Sequence, residues 1–262
     1  MSTDALLQAV ITAARLAGDT ANAFFGRTID VELKGDGSPV TVADRAAETV
    51  AREWIRTQFP DDGILGEEFG LERPEAARRW VLDPIDGTKS FIHGVPLWGT
   101  LVAVVEGETV LAGAIYAPVT NELVAAAAGC GAWFNGVRTF ASNTASLATA
   151  TLLTTDERFP GRPIRKSRWE LLSSQVRIVR TWGDCYGYLL LATGRADIMV
   201  DDLMNPWDAA AVQVVVEEAG GVFSDFRGRR TSFGGDSIAT TRALDGAVRD
   251  ILCPGGDPGH DD

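Results

Sequence analysis

The sequence predicts a layered α/β protein in which helices cover mixed sheets. Helical periodicity of apolar residues marks residues 3–25 and 41–59 near the start of the chain. Two later apolar runs, at residues 97–105 and 110–116, are joined by a short polar turn, which predicts a β-hairpin. After residue 167 helical and strand patterns alternate. These three observations together predict the fold class.

The first part of the chain carries clear start and stop signals for helices. Thr3 or Asp4 can cap the first helix, and Gly26 ends it. Thr41 can cap the second helix, and Pro60 lies just beyond its end. The predicted elements are a helix at 3–25, a strand at 29–33, a turn-rich loop at 34–39, a helix at 41–59, a strand at 64–65 and a loop or short helix at 72–79.

The later part of the chain predicts a second hairpin and then alternating helices and strands. The dipeptide Asn135-Gly136 favours a tight turn at the end of that hairpin. The predicted elements are paired strands at 122–128 and 132–134, a helix at 167–175, a strand at 176–181, a helix at 186–193, a strand at 196–200, a helix at 206–219, a strand at 221–224 and a helix at 244–252.

Composition narrows the possible functions. A chain of 262 residues with 45% apolar content can form one large domain or two closely packed ones. A net charge of −12 argues against nucleic acid or an anionic membrane as partner. Three cysteines without Cys-x-x-Cys spacing and only two histidines argue against a disulfide frame, a zinc site or a histidine triad. The apolar runs are short and no signal peptide is evident, so we expect a cytoplasmic protein.

The strongest chemical signal is the stretch from Trp80 to Phe91. An apolar strand is predicted to break at Pro84, which places Asp83 at its end and Asp86 on the following turn. Two carboxylates on such a turn can converge on one hard cation, and the amides of Gly87 and Thr88 can hold an anion. Other acids can face the same cleft, namely Glu67 and Glu68 upstream and Asp208 downstream.

These motifs resemble those of the inositol monophosphatase family. Gly66-Glu67-Glu68, Asp83-Pro84-Ile85-Asp86-Gly87-Thr88 and Trp207-Asp208-Ala209-Ala210 occur in the family's order, and the resemblance covers about residues 5–252. It implies a magnesium-dependent, lithium-sensitive phosphomonoesterase with an αβαβα sandwich fold, commonly dimeric. The expected parts are residues 1–140, which carry most metal ligands, residues 141–252 with the specificity residues and Asp208, and a Gly/Pro-rich tail, 253–262, predicted to be disordered.

The resemblance also implies roles for individual residues. One magnesium ion is expected on Glu67, Asp83 and the Ile85 carbonyl, and a second on Asp83, Asp86 and Asp208. A third, weaker ion near Glu67 is possible by the same resemblance, and oxygen ligands would also accept manganese. The expected water-orienting residues are Glu67 and Thr88, with Asp44 holding the Thr88 hydroxyl. The expected phosphate contacts are Asp86, Gly87 and Thr88.

Specificity is expected from residues beside the leaving alcohol. Asp184 follows Gly183 where many inositol phosphatases have a small or hydroxyl residue, and this arrangement is similar to histidinol-phosphate phosphatases of the family. Asp184 and Asp201 would then match a cationic alcohol, and Asp202 could substitute for Asp201. The alternatives are an inositol-1-monophosphatase and, less favoured because Thr88 and the metal-binding acids are all present, a silent metal- or phosphate-binding regulator.

Simpler structural roles compete with several of these assignments. Asp44 and Asp208 could each be an ordinary acid in the first turn of a helix. Lys34 lies where the family often has a basic residue on a mobile metal-binding loop, and it could equally be a solvated lysine. Tyr186 and Tyr188 fit one face of a helix and are expected to pack in the core.

Overall fold

A computed structural model describes residues 2–35 and 37–255 of the chain. Helix α1 spans Thr3–Asn22 and helix α2 spans Val42–Gln58. Ser2, rather than the predicted Thr3 or Asp4, caps α1, because its hydroxyl oxygen accepts from the amide of Ala5. The predicted Thr41 cap of α2 is confirmed, and Asp44 completes a capping box with it.

The first sheet has eight strands and follows a small separate hairpin of two strands. The hairpin pairs β1 (Val31–Leu33) with β2 (Pro39–Thr41). The eight-stranded order is β10-β9-β8-β7-β6-β5-β3-β4, largely antiparallel, with a parallel pair between β3 and β5. Its strands are β3 (Gly63–Gly66), β4 (Gly70–Glu72), β5 (Arg78–Asp86), β6 (Gly99–Glu106), β7 (Thr109–Ala117), β8 (Glu122–Ala127), β9 (Gly131–Phe134) and β10 (Val137–Arg138), with helix α3 (Thr88–Ile92) after β5.

The second sheet has five strands in the order β12-β11-β13-β15-β14. A short 3₁₀ turn at Leu147–Thr149 precedes it. Its elements, with the helices between them, are β11 (Thr151–Leu153), α4 (Pro163–Ser173), β12 (Ile178–Arg180), α5 (Asp184–Ala192), β13 (Ile198–Asp201), α6 (Pro206–Glu218), β14 (Gly221–Ser224), β15 (Ser237–Thr241) and α7 (Asp245–Leu252).

The helices and sheets stack as an αβαβα sandwich, and three hydrophobic cores lie between the layers. This confirms the predicted fold. Alternate residues of β6 face opposite sides, as strand geometry requires, so Val102 and Val104 pack towards α1 and α2 while Leu101 and Ala103 pack towards α5 and α6. Helix α6 is apolar on most of its surface because it lies between the two sheets. The third core joins α4 and α7 to the outer face of the second sheet through residues such as Trp169.

Several predicted boundaries are wrong. Strand β5 does not break at Pro84 but continues to Asp86, and its register with β6 shifts between Asp83 and Asp86. The bulge accommodates a proline that cannot donate to the ladder. The expected loop or helix at 72–79 is instead the end of β4, a turn and the start of β5.

Other differences are at element ends or in short strands. Helix α1 ends earlier than predicted, α4 begins at Pro163 and α5 at Asp184. Strands β2, β4, β10, β11 and β15 were not predicted; the first four have only two or three residues and so show little alternation. The division near residue 140 stays a prediction. The predicted disorder of the tail concerns mainly residues 256–262, which lie outside the described residues. Within the described residues, no helix is long and apolar enough to cross a bilayer.

Candidate active site

The bulge in β5 and the turn after it place two carboxylates beside a tight turn. Asp83 is 2% exposed, and its Oδ1 accepts a hydrogen bond from the Ile85 amide at 3.0 Å. Gly87 precedes α3 with φ +89°, a conformation that favours glycine. A Cβ there would also lie 3.0 Å from Oδ2 of Asp184. The turn therefore needs glycine for its backbone and for space.

Helix α6 brings a third carboxylate to the same place. Asp208 lies in the first turn of α6, and its Oδ2 accepts from the Asn205 amide at 2.7 Å, which completes a capping box. Carboxylate oxygens of Asp83, Asp86 and Asp208 all lie within 4.8 Å of one another. Asp208 is thus a capping residue, as the simpler interpretation held, and also a member of this acid cluster.

Burial and mutual repulsion make the acid cluster unfavourable without a counter-charge. Burial is the main cause that raises the pKa values of Asp83 and Asp86 well above the ordinary range, and neighbouring carboxylates raise them further. Burial also raises the pKa of Asp208 to about 6. Among the described residues, no lysine or arginine forms an ion pair with these three acids. An all-oxygen donor set of this charge fits a hard divalent cation.

Glu67 lies close to the cluster but outside the group of three. Lys34 Nζ contacts Oε1 of Glu67 and Oε1 of Glu68, each at 2.7 Å, so Lys34 is not simply solvated. Buried Glu48 holds the same loop, because its Oε2 accepts from the Glu68 amide at 2.7 Å. Glu48 is itself paired with Arg52 at 2.7 Å. The loop that carries Glu67 is therefore positioned from α2.

Gly66 offers a test of this positioning. A Cβ at Gly66 would lie 2.0 Å from Oε1 of buried Glu48, so Gly66→Ala must displace that carboxylate. We expect the variant to lose about 1–3 kcal/mol of unfolding free energy and most of its activity. Denaturant unfolding and a turnover assay measure the two effects. Gly35→Ala, where a Cβ would contact nothing within 4 Å, is the control; a Gly66→Ala variant as stable and active as this control would contradict the proposed support.

The Thr88 hydroxyl has two acceptors within reach. Its Oγ1 lies 3.0 Å from the Ile85 carbonyl oxygen and 3.5 Å from Oδ1 of Asp44. The other oxygen of Asp44 accepts from the amide and the hydroxyl of Thr41, at 2.8 and 2.6 Å. Asp44 therefore acts chiefly as the helix-capping acid, and its expected hold on Thr88 is at the limit of a hydrogen bond. The Ile85 carbonyl, expected as a metal ligand, is the shorter contact of Thr88.

A first cavity of about 400 Å³ opens beside these groups. Glu67, Gly87, Thr88 and Asp184 are all part of its lining. Burial, followed by the charges of Asp201 and Asp208, raises the pKa of Asp184 to about 7. The structure therefore places Asp184 beside the predicted phosphate-binding turn.

Asp201 is near enough to Asp184 for its charge to act there, but it is part of the lining of a second cavity, of about 380 Å³. Its Oδ1 accepts from the Thr155 amide at 2.8 Å and its Oδ2 from the Tyr188 hydroxyl at 2.9 Å. Tyr188 is buried, as its core assignment predicted, and Tyr186 is partly buried beside Glu122. Much of the hydrogen-bonding capacity of Asp201 is used inside the protein, and Asp202 lines the same second cavity.

Sequence reasoning missed the loop that follows β11. Thr155, Asp156 and Arg158 line both cavities, together with Lys89. Strand β11 has only three residues and was not predicted, so nothing placed its end at the cleft. The polar run Thr154-Thr155-Asp156 after the apolar Leu152-Leu153 was the available signal.

Comparisons with known proteins identify the family and the fold. Residues 2–254 match the model of the inositol monophosphatase family. A histidinol-phosphatase of Chlorobaculum parvum is 44% identical over 89% of this chain and 91% of its own. A histidinol-phosphatase of Mycobacterium tuberculosis is 37% identical over 93% and 96%. The crystal structure of the extragenic suppressor protein suhB from Bartonella henselae superposes with a TM-score of 0.90 at 30% identity, covering 96% of this chain and 99% of that one.

Proposed function

Because this chain belongs to the inositol monophosphatase family and is a phosphoric monoester hydrolase, we propose that it converts L-histidinol phosphate and water to L-histidinol and phosphate, a step of histidine biosynthesis. The observation that carries the proposal is the carboxylate of Asp184 beside the Gly87 turn. A partly buried acid there suits a leaving alcohol that carries an amine and an imidazole. The names of the two histidinol-phosphatase relatives support the same substrate.

Members of this family use divalent metal ions, and the acid cluster fits such ions. We propose magnesium, with manganese as a substitute and lithium as an inhibitor. Glu67, Asp83 and the Ile85 carbonyl would hold one ion, and Asp83, Asp86 and Asp208 a second; a third could bind near Glu67. When bound, such ions supply an acidified water and neutralise charge on the phosphate and on the leaving oxygen.

The chain's own groups would bind the phosphate and orient the attacking water. The amides of Gly87 and Thr88 would donate to phosphate oxygens. The Thr88 hydroxyl donates to the Ile85 carbonyl at 3.0 Å, so its oxygen lone pairs remain able to accept a hydrogen bond from the attacking water. Glu67 would accept a hydrogen bond from the other hydrogen of that water and take this one proton as the water attacks phosphorus. Direct attack of water in line with the leaving alkoxide needs no covalent enzyme intermediate.

The proposal is tested by phosphate release with magnesium from histidinol phosphate and inositol-1-phosphate side by side. We expect a higher kcat/KM for histidinol phosphate. Asp184→Ser should reduce that kcat/KM about tenfold more than the value for inositol-1-phosphate, because it removes a charged hydrogen-bond partner of the cationic alcohol. Asp61→Ser, at an exposed turn, is the control.

The other outcomes point to the alternatives. Preference for inositol-1-phosphate would favour an inositol-1-monophosphatase and remove the argument from Asp184. No release from any phosphate monoester would favour a silent metal- or phosphate-binding regulator. We also propose, on the family resemblance, a homodimer in the cytoplasm. Sedimentation of the purified protein measures its oligomeric state and tests the proposed homodimer.

A further inference from the structure

The first and second cavities lie on either side of the loop after β11 and share lining residues there. The first cavity contains the phosphate-binding turn, and the second contains Asp201, Asp202 and Leu203. Lys89, Thr155, Asp156 and Arg158 line both. The alcohol part of a monoester whose phosphate lies at the Gly87 turn would therefore come next to these shared residues.

Asp156 is held at this junction from both sides. On one side, Thr155 donates its amide to Asp201 and accepts the Asp184 amide on its hydroxyl, each at 2.8 Å. On the other side, Phe159 is buried and its ring lies 5.5 Å from the ring of Trp169. The side chain of Asp156 thus starts from a fixed backbone position, as a binding residue requires.

A guanidinium from the same loop contacts the Asp156 carboxylate. Arg158 donates its amide at 2.9 Å and its Nε at 2.8 Å to Oδ1, and its Nη2 donates to Oδ2. The Arg158 side chain is 78% exposed, whereas that of Asp156 is 30% exposed. An exposed pair of this kind contributes little to stability, so the guanidinium can exchange for another cation at small cost.

We propose that Asp156 is a specificity-determining residue that binds the cationic group of the leaving alcohol, and that Arg158 covers this carboxylate until the substrate displaces it. The inference rests on the proposed phosphatase function and names a residue of the same site. The substrate class is a phosphate monoester whose alcohol carries an ammonium or imidazolium group.

Asp156 suits this role better than the neighbouring acids. Its hydrogen bonds from Arg158 keep its pKa below the ordinary value, and the charge of Lys89 acts in the same direction. Burial instead raises the pKa values of Asp201 and Asp202. Both carboxylate oxygens of Asp201 also accept hydrogen bonds inside the protein, Oδ1 from the Thr155 amide and Oδ2 from the Tyr188 hydroxyl. Asp156 is therefore the carboxylate at the junction that is held charged and has an exchangeable partner.

Two variants with opposite expected effects test the proposal in the magnesium-loaded protein. Asp156→Asn should lower kcat/KM for histidinol phosphate about tenfold, mostly through KM, and leave the neutral substrate glycerol 2-phosphate nearly unchanged. Arg158→Gln should raise kcat/KM for histidinol phosphate about threefold, because the guanidinium bonded to Asp156 no longer competes for that carboxylate. Glu157→Gln, which removes the same charge from an exposed residue that lines neither cavity, should change neither substrate.

The outcomes separate this inference from the proposed function. An equal loss for cationic and neutral substrates in Asp156→Asn would overturn the inference and leave histidinol phosphate as substrate. A wild-type preference for another cationic monoester, abolished by Asp156→Asn, would support the inference and overturn the proposed substrate. A lower activity of Arg158→Gln on all substrates would assign Arg158 to anion binding and overturn the displacement. Equal kcat/KM values of the wild-type protein for cationic and neutral monoesters would overturn both the role of Asp156 and the proposed substrate.

Discussion

Asp83→Asn is expected to abolish phosphate release, by about a thousandfold or more in kcat, while the fold is retained. Asp83 is one of the three acids of the cluster, and the proposed assignment makes it a ligand of both ions. Loss of metal-based charge stabilisation removes several kcal/mol from the transition state, and each ~1.4 kcal/mol is a factor of ten in rate. Single-turnover and steady-state assays with magnesium measure the loss.

The same variant should remain folded for a specific reason. Asparagine keeps an Oδ1 acceptor for the Ile85 amide, which donates to Asp83 at 3.0 Å. It also removes one of three mutually repelling carboxylates, so the chelated variant should melt at a higher temperature than the chelated wild type. Asp250→Asn, on the exposed side of α7, is the control. Near-normal turnover by a folded Asp83→Asn protein would contradict the two-ion site.

Removal of divalent metal is expected to abolish turnover and to make stability depend on pH in a defined direction. Asp208 has its pKa raised from an ordinary 3.8 to about 6, and Asp184 to about 7. The folded, metal-free protein therefore holds protons that the unfolded chain has already lost above pH ~4. Linkage then requires the free energy of unfolding to fall as pH rises from about 4 to about 7. The Asp208 shift alone corresponds to about 3 kcal/mol.

Magnesium should reverse most of this loss, because metal ions bind the deprotonated carboxylates. Melting curves at pH 5 and pH 7.5, with excess chelator or with magnesium, measure the effect. We expect the gain in melting temperature from magnesium to be several degrees larger at pH 7.5 than at pH 5. Asp208→Asn should flatten the pH dependence of the chelated protein. A magnesium effect of equal size at both pH values would argue against a metal site built from these acids.

The fold and the family were both accessible from the sequence, and the reasons are local. Thr41 and Asp44 start α2, and the apolar runs that became β6 and β7 carry a hairpin pattern. The Asp83–Thr88 motif contains two carboxylates and the amides of Gly87 and Thr88 within six residues. Its capacity to bind a cation and an anion could therefore be predicted without knowledge of any tertiary contact. Such signals depend on neighbours in the chain, which the sequence lists directly.

Other features depended on contacts between distant segments. Pro84 was expected to end β5, but pairing with β6 carries the strand through a bulge. Lys34 was left open between a metal loop and a solvated residue, and the structure pairs it with Glu67 and Glu68. Asp201 stays a predicted substrate contact, and the structure adds that its carboxylate accepts hydrogen bonds from Thr155 and Tyr188. Local propensity carries no information about such pairings.

The sequence by itself determined the family and the reaction class, and it predicted which acids would bind metal and which turn would bind phosphate. Only the tertiary structure decided that Asp208 joins Asp83 and Asp86 within 4.8 Å, that Glu67 lies outside that group, and that Asp156 lines both cavities. The physical reason is that motif chemistry is carried by adjacent residues. The shape and charge of a pocket arise where α6, β5 and the loop after β11 pack against one another.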